Sequence, residues 1–196
     1  MSRLPPVPDS ELSDFFRERV ELDRAQGRDS LLNAVLAHRS DFFERYFSFF
    51  YPAHEHGVLD TRIKEIARLQ IARHNNCQAC LNARYATAQA QGLDEQRISQ
   101  LDLPEPEREL DPRELLAVEF ADRLAFDHQR IDQTFVDRLM QNFSPAEILE
   151  LGMMIGQYIG FGRLLVAMGI DVHSSDVFAS GDFRGDKTDV LAAAGG

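Results

Sequence analysis

The stretch LDTRIKEIARLQIARHNNCQACLNARYATAQAQGL, residues 59–93, decides how this chain is read. Asp60 stands where a helix N-cap is wanted, and Ile63, Ile66, Ala67 and Ile71 recur at helical spacing on one apolar face. Asn75 and Asn76 interrupt that pattern, because asparagine favours turns and N-caps. With Asn76 as the cap, the pattern predicts a new helix over 77–91, stopped by the left-handed C-cap that Gly92 supplies. Both cysteines of the chain, Cys77 and Cys80, then fall in the first turn of that helix.

Two cysteines three apart share a helix face, with Cβ atoms ~5–6 Å apart. A disulfide wants them at ~3.8 Å, so modest local adjustment joins them. The first turn also offers unpaired N–H groups and the positive end of the helix dipole, and both favour a thiolate. That arrangement suits reversible dithiol chemistry, in which one thiolate attacks and its neighbour resolves the product. Other readings stay open. The pair could be ordinary buried core cysteines. A structural zinc site would have to recruit His74, His54 or His56, and no second Cys-X-X-Cys exists. No metal or other cofactor is expected. Glu65 lies twelve residues before Cys77, where a helical hairpin could fold it back as a proton acceptor. His74, just before the break, is a second candidate for moving protons.

Working outward, helix punctuation is clear and strand signals are nearly absent. Asp9 or Ser10 opens a helix predicted to reach Ala25, with Gly27 beyond it. A second pattern starts near Ser30, is interrupted near Ser40, and runs into DFFERYFSFFYP. There Phe42, Phe43, Tyr46, Phe47, Phe49, Phe50 and Tyr51 read as core or subunit interface, and Pro52 is expected to end the helix. Asp94 opens a short helix before the acidic, proline-rich LDLPEPE. Capping boxes start two later helices, Asp111–Pro112–Glu114 and Ser144–Pro145–Glu147. In the last helix Gly152, Gly156 and Gly160 form one bare stripe, expected to serve close packing in the core or between subunits. The fold class is all-α in a single domain: a helical extension over 1–58, a core over 59–170, and an arm or tail over 171–196.

Composition narrows the function. Against 32 Asp and Glu stand 21 Lys and Arg, a formal net charge of −11, so neither nucleic acid nor an anionic membrane is an expected partner. The start MSRLPPVPDSELSDFF lacks the charged and apolar blocks of a secretory signal, and the cytoplasm is the expected location. Residues 148–170 are apolar enough to suggest a membrane span, yet Glu150, Gln157 and Arg163 favour a buried helix.

The spacing of Glu65, Cys77 and Cys80, with the Gly92–Leu93 stop, resembles the carboxymuconolactone decarboxylase-like superfamily, in its alkylhydroperoxidase D-like branch. The likeness is densest over 59–93 and extends to about residue 170. It implies an alkylhydroperoxidase D-like helical bundle, oligomeric, and a peroxiredoxin-type enzyme that reduces hydroperoxides. In the mechanism it implies, Cys80 is the peroxidatic nucleophile, Cys77 resolves it, and Glu65 relays protons. A dithiol or thioredoxin-like reductant resets the pair. The chain departs from the pattern at two positions: Arg84 stands where the family often has a histidine, and Ala79 precedes the second cysteine. Arg84 cannot act as a base, but could stabilise a thiolate or pair with Glu65. The alternatives are a non-enzymatic dithiol sensor or ligand-binding protein, and a lactone decarboxylase-like lyase that would leave both cysteines unexplained.

Overall fold

The computed structural model describes residues 2–171 and 177–178. The helices are α1 (Asp14–Ala25), α2 (Leu31–Leu36), α3 (Ser40–His56), α4 (Thr61–Asn75), α5 (Gln78–Asn82), α6 (Ala86–Ala90), α7 (Glu95–Ser99), α8 (Pro112–Phe126), α9 (Gln133–Met140) and α10 (Pro145–Met168). Short 3-10 turns join several of them. The fold is all-α; the extended backbone is a two-residue parallel pairing of β1 (Arg84–Tyr85) with β2 (Val177–Phe178). Apart from that pairing and Asp171, the arm expected over 171–196 lies outside the described residues.

Helix α4 lies at the centre, packed against α8 and α10. Its Ile63, Ala67 and Ile71 meet Leu116, Ala117 and Phe120 of α8 and Leu151, Met154 and Ile155 of α10. On another side Ile66 and Leu69 pack against Tyr85, Ala88, Leu93 and Val118. Helix α4 is therefore buried all round, not along one face, and Lys64, Glu65 and Arg68 go into the interior with it. A third cluster, with Phe16, Val20, Val35, Phe47, Cys77 and Leu165, seats α1–α3 over the cysteine loop. The residues read as an extension thus form part of the wall around the cysteines.

Both capping boxes are present, as are the left-handed glycines Gly27, Gly92 and Gly169. The first helix begins later than expected: Ser13 caps α1 by accepting the Phe16 N–H, and Asp9–Glu11 form only a 3-10 turn.

Pro52 does not end α3, which continues to His56. An interior proline forfeits one helical hydrogen bond, but tertiary contacts hold the last turn. The Ala53 carbonyl accepts from Lys64 Nζ at 2.7 Å, the Glu55 carbonyl accepts from Thr61 Oγ1, and His54 is fully buried. Among the described residues, the glycine stripe on α10 meets the chain only at Gly152, against Phe120; Gly156 and Gly160 meet none of them within 4 Å and are flanked by exposed Leu149, Met153 and Leu164. By length and composition α10 could cross a membrane. Its polar residues are engaged here instead: Glu150 holds Lys64, and Arg163 donates to Asn75.

Candidate functional site: a dithiol beside a buried Glu–Arg–His–Tyr network

Helix α4 stops at Asn76, whose φ of 51° makes it the one non-glycine residue with positive φ among those described. Asparagine tolerates this left-handed conformation, so Asn76 is the C-cap of α4 and not the N-cap of the next helix. Cys77 is that N-cap: its sulfur accepts the Cys80 N–H at 3.3 Å. Cys77 and Cys80 are joined as a disulfide with Cα atoms 5.2 Å apart.

The single helix expected over 77–91 is broken into α5, β1 and α6. Leaving the helix at Ala83 frees carbonyls that α6 does not satisfy, and arginines take them. Arg68 donates to the Cys80 and Ala83 carbonyls, and Arg84 to those of Leu81 and Ala83. Tertiary contacts have overridden helical propensity here.

The same Arg68 guanidinium grips Glu65 with both forks, Nε to Oε2 and a terminal nitrogen to Oε1, each at 2.6 Å. Glu65 is 1% exposed. Burial pushes its carboxyl up, but the charge and hydrogen bonds of Arg68, helped by His54, outweigh this and hold it at about 2. Glu65 is thus an anion, and a weak base. His54, 0% exposed, places Nε2 3.3 Å from Glu65 Oε2 without making an aligned hydrogen bond, and its Nδ1 lies 2.7 Å from the Tyr158 hydroxyl. Burial pulls the His54 pKa down against the upward pull of Glu65, so the imidazole is neutral near pH 7. Burial, with Glu65 nearby, raises the Tyr158 pKa well above its ordinary value and keeps the hydroxyl protonated.

A cavity of about 150 Å3 opens above this network. Phe47, Phe50, Tyr51 and Phe161 supply apolar wall; Arg68, Tyr85 and Tyr158 line it from the network side, and Cys80 lines it from the loop. Helix α1 adds Arg19 and Asp23. Cys77 does not line the cavity and is fully buried behind Cys80. Of the two sulfurs, Cys80 is the one a small molecule can reach.

Of the residues singled out from sequence, the fold gathers Glu65, Cys77 and Cys80, with Arg68 bridging Glu65 to the cysteine loop. Arg84 goes elsewhere: it pairs with Glu95, Nε to Oε1 at 2.6 Å, and not with Glu65. The reason is competition, since Arg68, one turn from Glu65 on the same helix, already fills both carboxylate oxygens. His74 also turns away, bonding Asp122 of α8 at 2.6 Å against the exposed Phe126 ring, and it does not line the cavity. Sequence reasoning missed Arg68, His54 in its buried role, and Tyr158. The Glu65–Arg68 spacing of three was a readable signal. His54 was hidden by the expectation that Pro52 ends its helix.

Residues 40–123 match the carboxymuconolactone decarboxylase family. No curated protein matches the chain. Several solved structures share its fold, among them two from bacteria. One is an uncharacterized peroxidase-related protein from Ralstonia eutropha JMP134, described as an alkylhydroperoxidase AhpD core. It is 20% identical, with a TM-score of 0.70 over 86% of this chain and 90% of that one. The other, an uncharacterized peroxidase-related protein from Silicibacter sp. TM1040, is 18% identical, with a TM-score of 0.63 over 85% and 86%. The chain therefore has the alkylhydroperoxidase D-like fold, and its residues 40–123 are similar to the carboxymuconolactone decarboxylase family.

Proposed function

We propose that the chain is a thiol peroxidase that reduces hydroperoxides through a Cys77/Cys80 dithiol–disulfide cycle. The observation that carries this reading is the asymmetry of the pair: Cys80 faces an apolar cavity, and Cys77 sits buried within bonding distance behind it. In the reduced protein the Cys80 thiolate attacks the distal oxygen of R–O–OH. An S–O bond forms, the O–O bond breaks, and the leaving alkoxide takes a proton to become R–OH. Cys77 then attacks the Cys80 sulfenic acid, forming the disulfide and releasing water. A dithiol or thioredoxin-like reductant is oxidised as it returns both thiols. The cycle suits the cytoplasm, where such reductants are kept reduced.

The cavity matches in size one that holds a benzene-sized guest, which favours hydroperoxides with a small apolar body. Self-association through the exposed α10 face, with Leu149, Met153 and Leu164, belongs to the same proposal, and a solution mass above the 22.2 kDa of one chain would support it.

The test is anaerobic reduction followed by cumene hydroperoxide, with free thiols and intact mass followed over time. The expected result is rapid loss of both thiols as the disulfide forms, no reaction in Cys80→Ser, and a stalled sulfenic acid in Cys77→Ser. Thiols that outlast excess hydroperoxide at neutral pH would overturn the proposal. A redox sensor would oxidise as fast but would not turn over when a dithiol reductant is supplied. A decarboxylase-like lyase would not need either cysteine.

A further inference from the structure

Resting on that reading, we infer that Tyr158 and His54 are the proton relay of the peroxide step: Tyr158 is the group that meets the reactants, and His54 is a positioning and proton-holding residue behind it. The hydrogen-bond directions follow from chemistry. An ionised Glu65 can only accept, so His54 Nε2, 3.3 Å from Oε2 though not aligned for a hydrogen bond, carries the ring proton on the carboxylate side. Nδ1 is then an acceptor, and the Tyr158 hydroxyl at 2.7 Å donates to it. The order is Tyr158–His54–Glu65, a hydroxyl backed by an imidazole backed by a carboxylate, with Arg68 fixing the carboxylate.

Two facts place this chain of groups at the reacting sulfur. Tyr158 and Cys80 line the same cavity. Gly162, one turn beyond Tyr158 on α10, lies so close to the loop that a Cβ there would stand 3.7 Å from Cys80 Sγ. That stretch of α10 is also fixed, because Asn75 Nδ2 donates to the Tyr158 and Ile159 carbonyls. No other predicted base is available: Arg84 is cationic and bound to Glu95, His74 is bound to Asp122, and Glu65 is held ionised by Arg68.

The step balances as follows. The Cys80 thiol proton passes to Tyr158 Oη, directly or through one water, as the Tyr158 proton moves to His54 Nδ1. The thiolate forms the S–O bond, and the departing R–O⁻ takes a proton from Tyr158, which recovers its own from His54. The relay ends as it began, the hydroperoxide is reduced by two electrons, and Cys80 is oxidised to the sulfenic acid.

Leaving-group chemistry separates this role from a structural one. An alkyl hydroperoxide expels an alkoxide that needs a proton; a peracid expels a carboxylate that does not. Rates of Cys80 oxidation by cumene hydroperoxide and by peracetic acid are to be compared in the wild type, Tyr158→Phe and His54→Gln. At a pH high enough that Cys80 is already a thiolate, so that only leaving-group protonation is compared, both variants are expected to lose about 10²-fold or more with the alkyl hydroperoxide, the usual size of general acid–base catalysis, and less than about tenfold with the peracid. Tyr158→Phe removes one oxygen and guards against misfolding of His54→Gln. Equal losses with both oxidants, or no loss in Tyr158→Phe, would overturn the relay while leaving the peroxidase reading intact. A wild type that consumes neither oxidant would overturn the peroxidase reading itself, and the relay with it.

Discussion

Replacing Arg68 with methionine is the sharpest probe of how the site is held together. The substitution keeps an unbranched, helix-compatible side chain but leaves the Glu65 carboxylate buried without its cation. In the wild type, Glu65 is held at about 2 against an ordinary value of 4.5. That gap corresponds to about 3 kcal/mol of stability at neutral pH. The sign follows from the direction: a carboxyl depressed in the folded state contributes fully above about pH 5, and loses the contribution as pH falls toward 2. Removing Arg68 also strips donors from the Cys80 and Ala83 carbonyls. Breaking a buried pair from one side costs about 3–5 kcal/mol. Arg68→Met should therefore lower stability by about 4 kcal/mol, or roughly 8–16 °C in Tm for a chain of this size. Without the cation, burial pushes Glu65 above its ordinary value, so the variant regains stability relative to the wild type as pH falls and the two curves converge in acid. Adding Glu65→Gln should recover much of the loss, since no bare charge remains. The assay is urea unfolding of the two single variants and the double variant at pH 7 and pH 4. Costs that add to within about 0.5 kcal/mol, or an Arg68→Met penalty unchanged at pH 4, would refute the ion-pair account.

Gly162→Ala would set a methyl 2.6 Å from Asn75 Nδ2 and should cost about 1–3 kcal/mol in thermal unfolding while slowing Cys80 oxidation; an unchanged Tm would show the helices are not pinned there. Arg84→Ala removes a pair whose Glu95 partner is mostly exposed, together with a donor to the Leu81 and Ala83 carbonyls, so stability should fall by about 1–2 kcal/mol while stopped-flow oxidation of Cys80 changes less than about twofold. A large rate loss would return Arg84 to the chemistry. His74→Asn should likewise leave the thiol oxidation rate within about twofold, because its ring faces Asp122 and not the cavity.

Much of this was legible because helix ends are written in local chemistry. The boxes at Asp111 and Ser144 and the stops at Gly92 and Gly169 need only neighbouring residues to act, and all are present. The Glu65–Cys77–Cys80 grouping was legible for a similar reason, since one helix and one turn fix it. What was hidden depends on contacts distant in sequence. Pro52 reads as a stop until Lys64 and Thr61 are seen holding the turn beyond it. The stretch 77–91 reads as one helix until Arg68 is seen taking its carbonyls. Arg84 and His74 were plausible partners by spacing, but Glu95 and Asp122, brought near by folding, claimed them.

The grip of Arg68 on the Cys80 and Ala83 carbonyls bears on how the cysteine loop opens. Helices α5 and α6 have five residues each, far too few to persist alone. Such a segment would ordinarily fray, and its amides would exchange with solvent quickly. Here the segment is fastened through a buried guanidinium to the central helix, so it is expected to open with the core rather than ahead of it. In hydrogen-exchange terms, the amides of Leu81 and Ala83 should report nearly the global free energy of unfolding, and in Arg68→Met they should exchange faster than the amides of α4. A loop that carries reactive sulfur would in this way borrow its cooperativity from the interior of the protein.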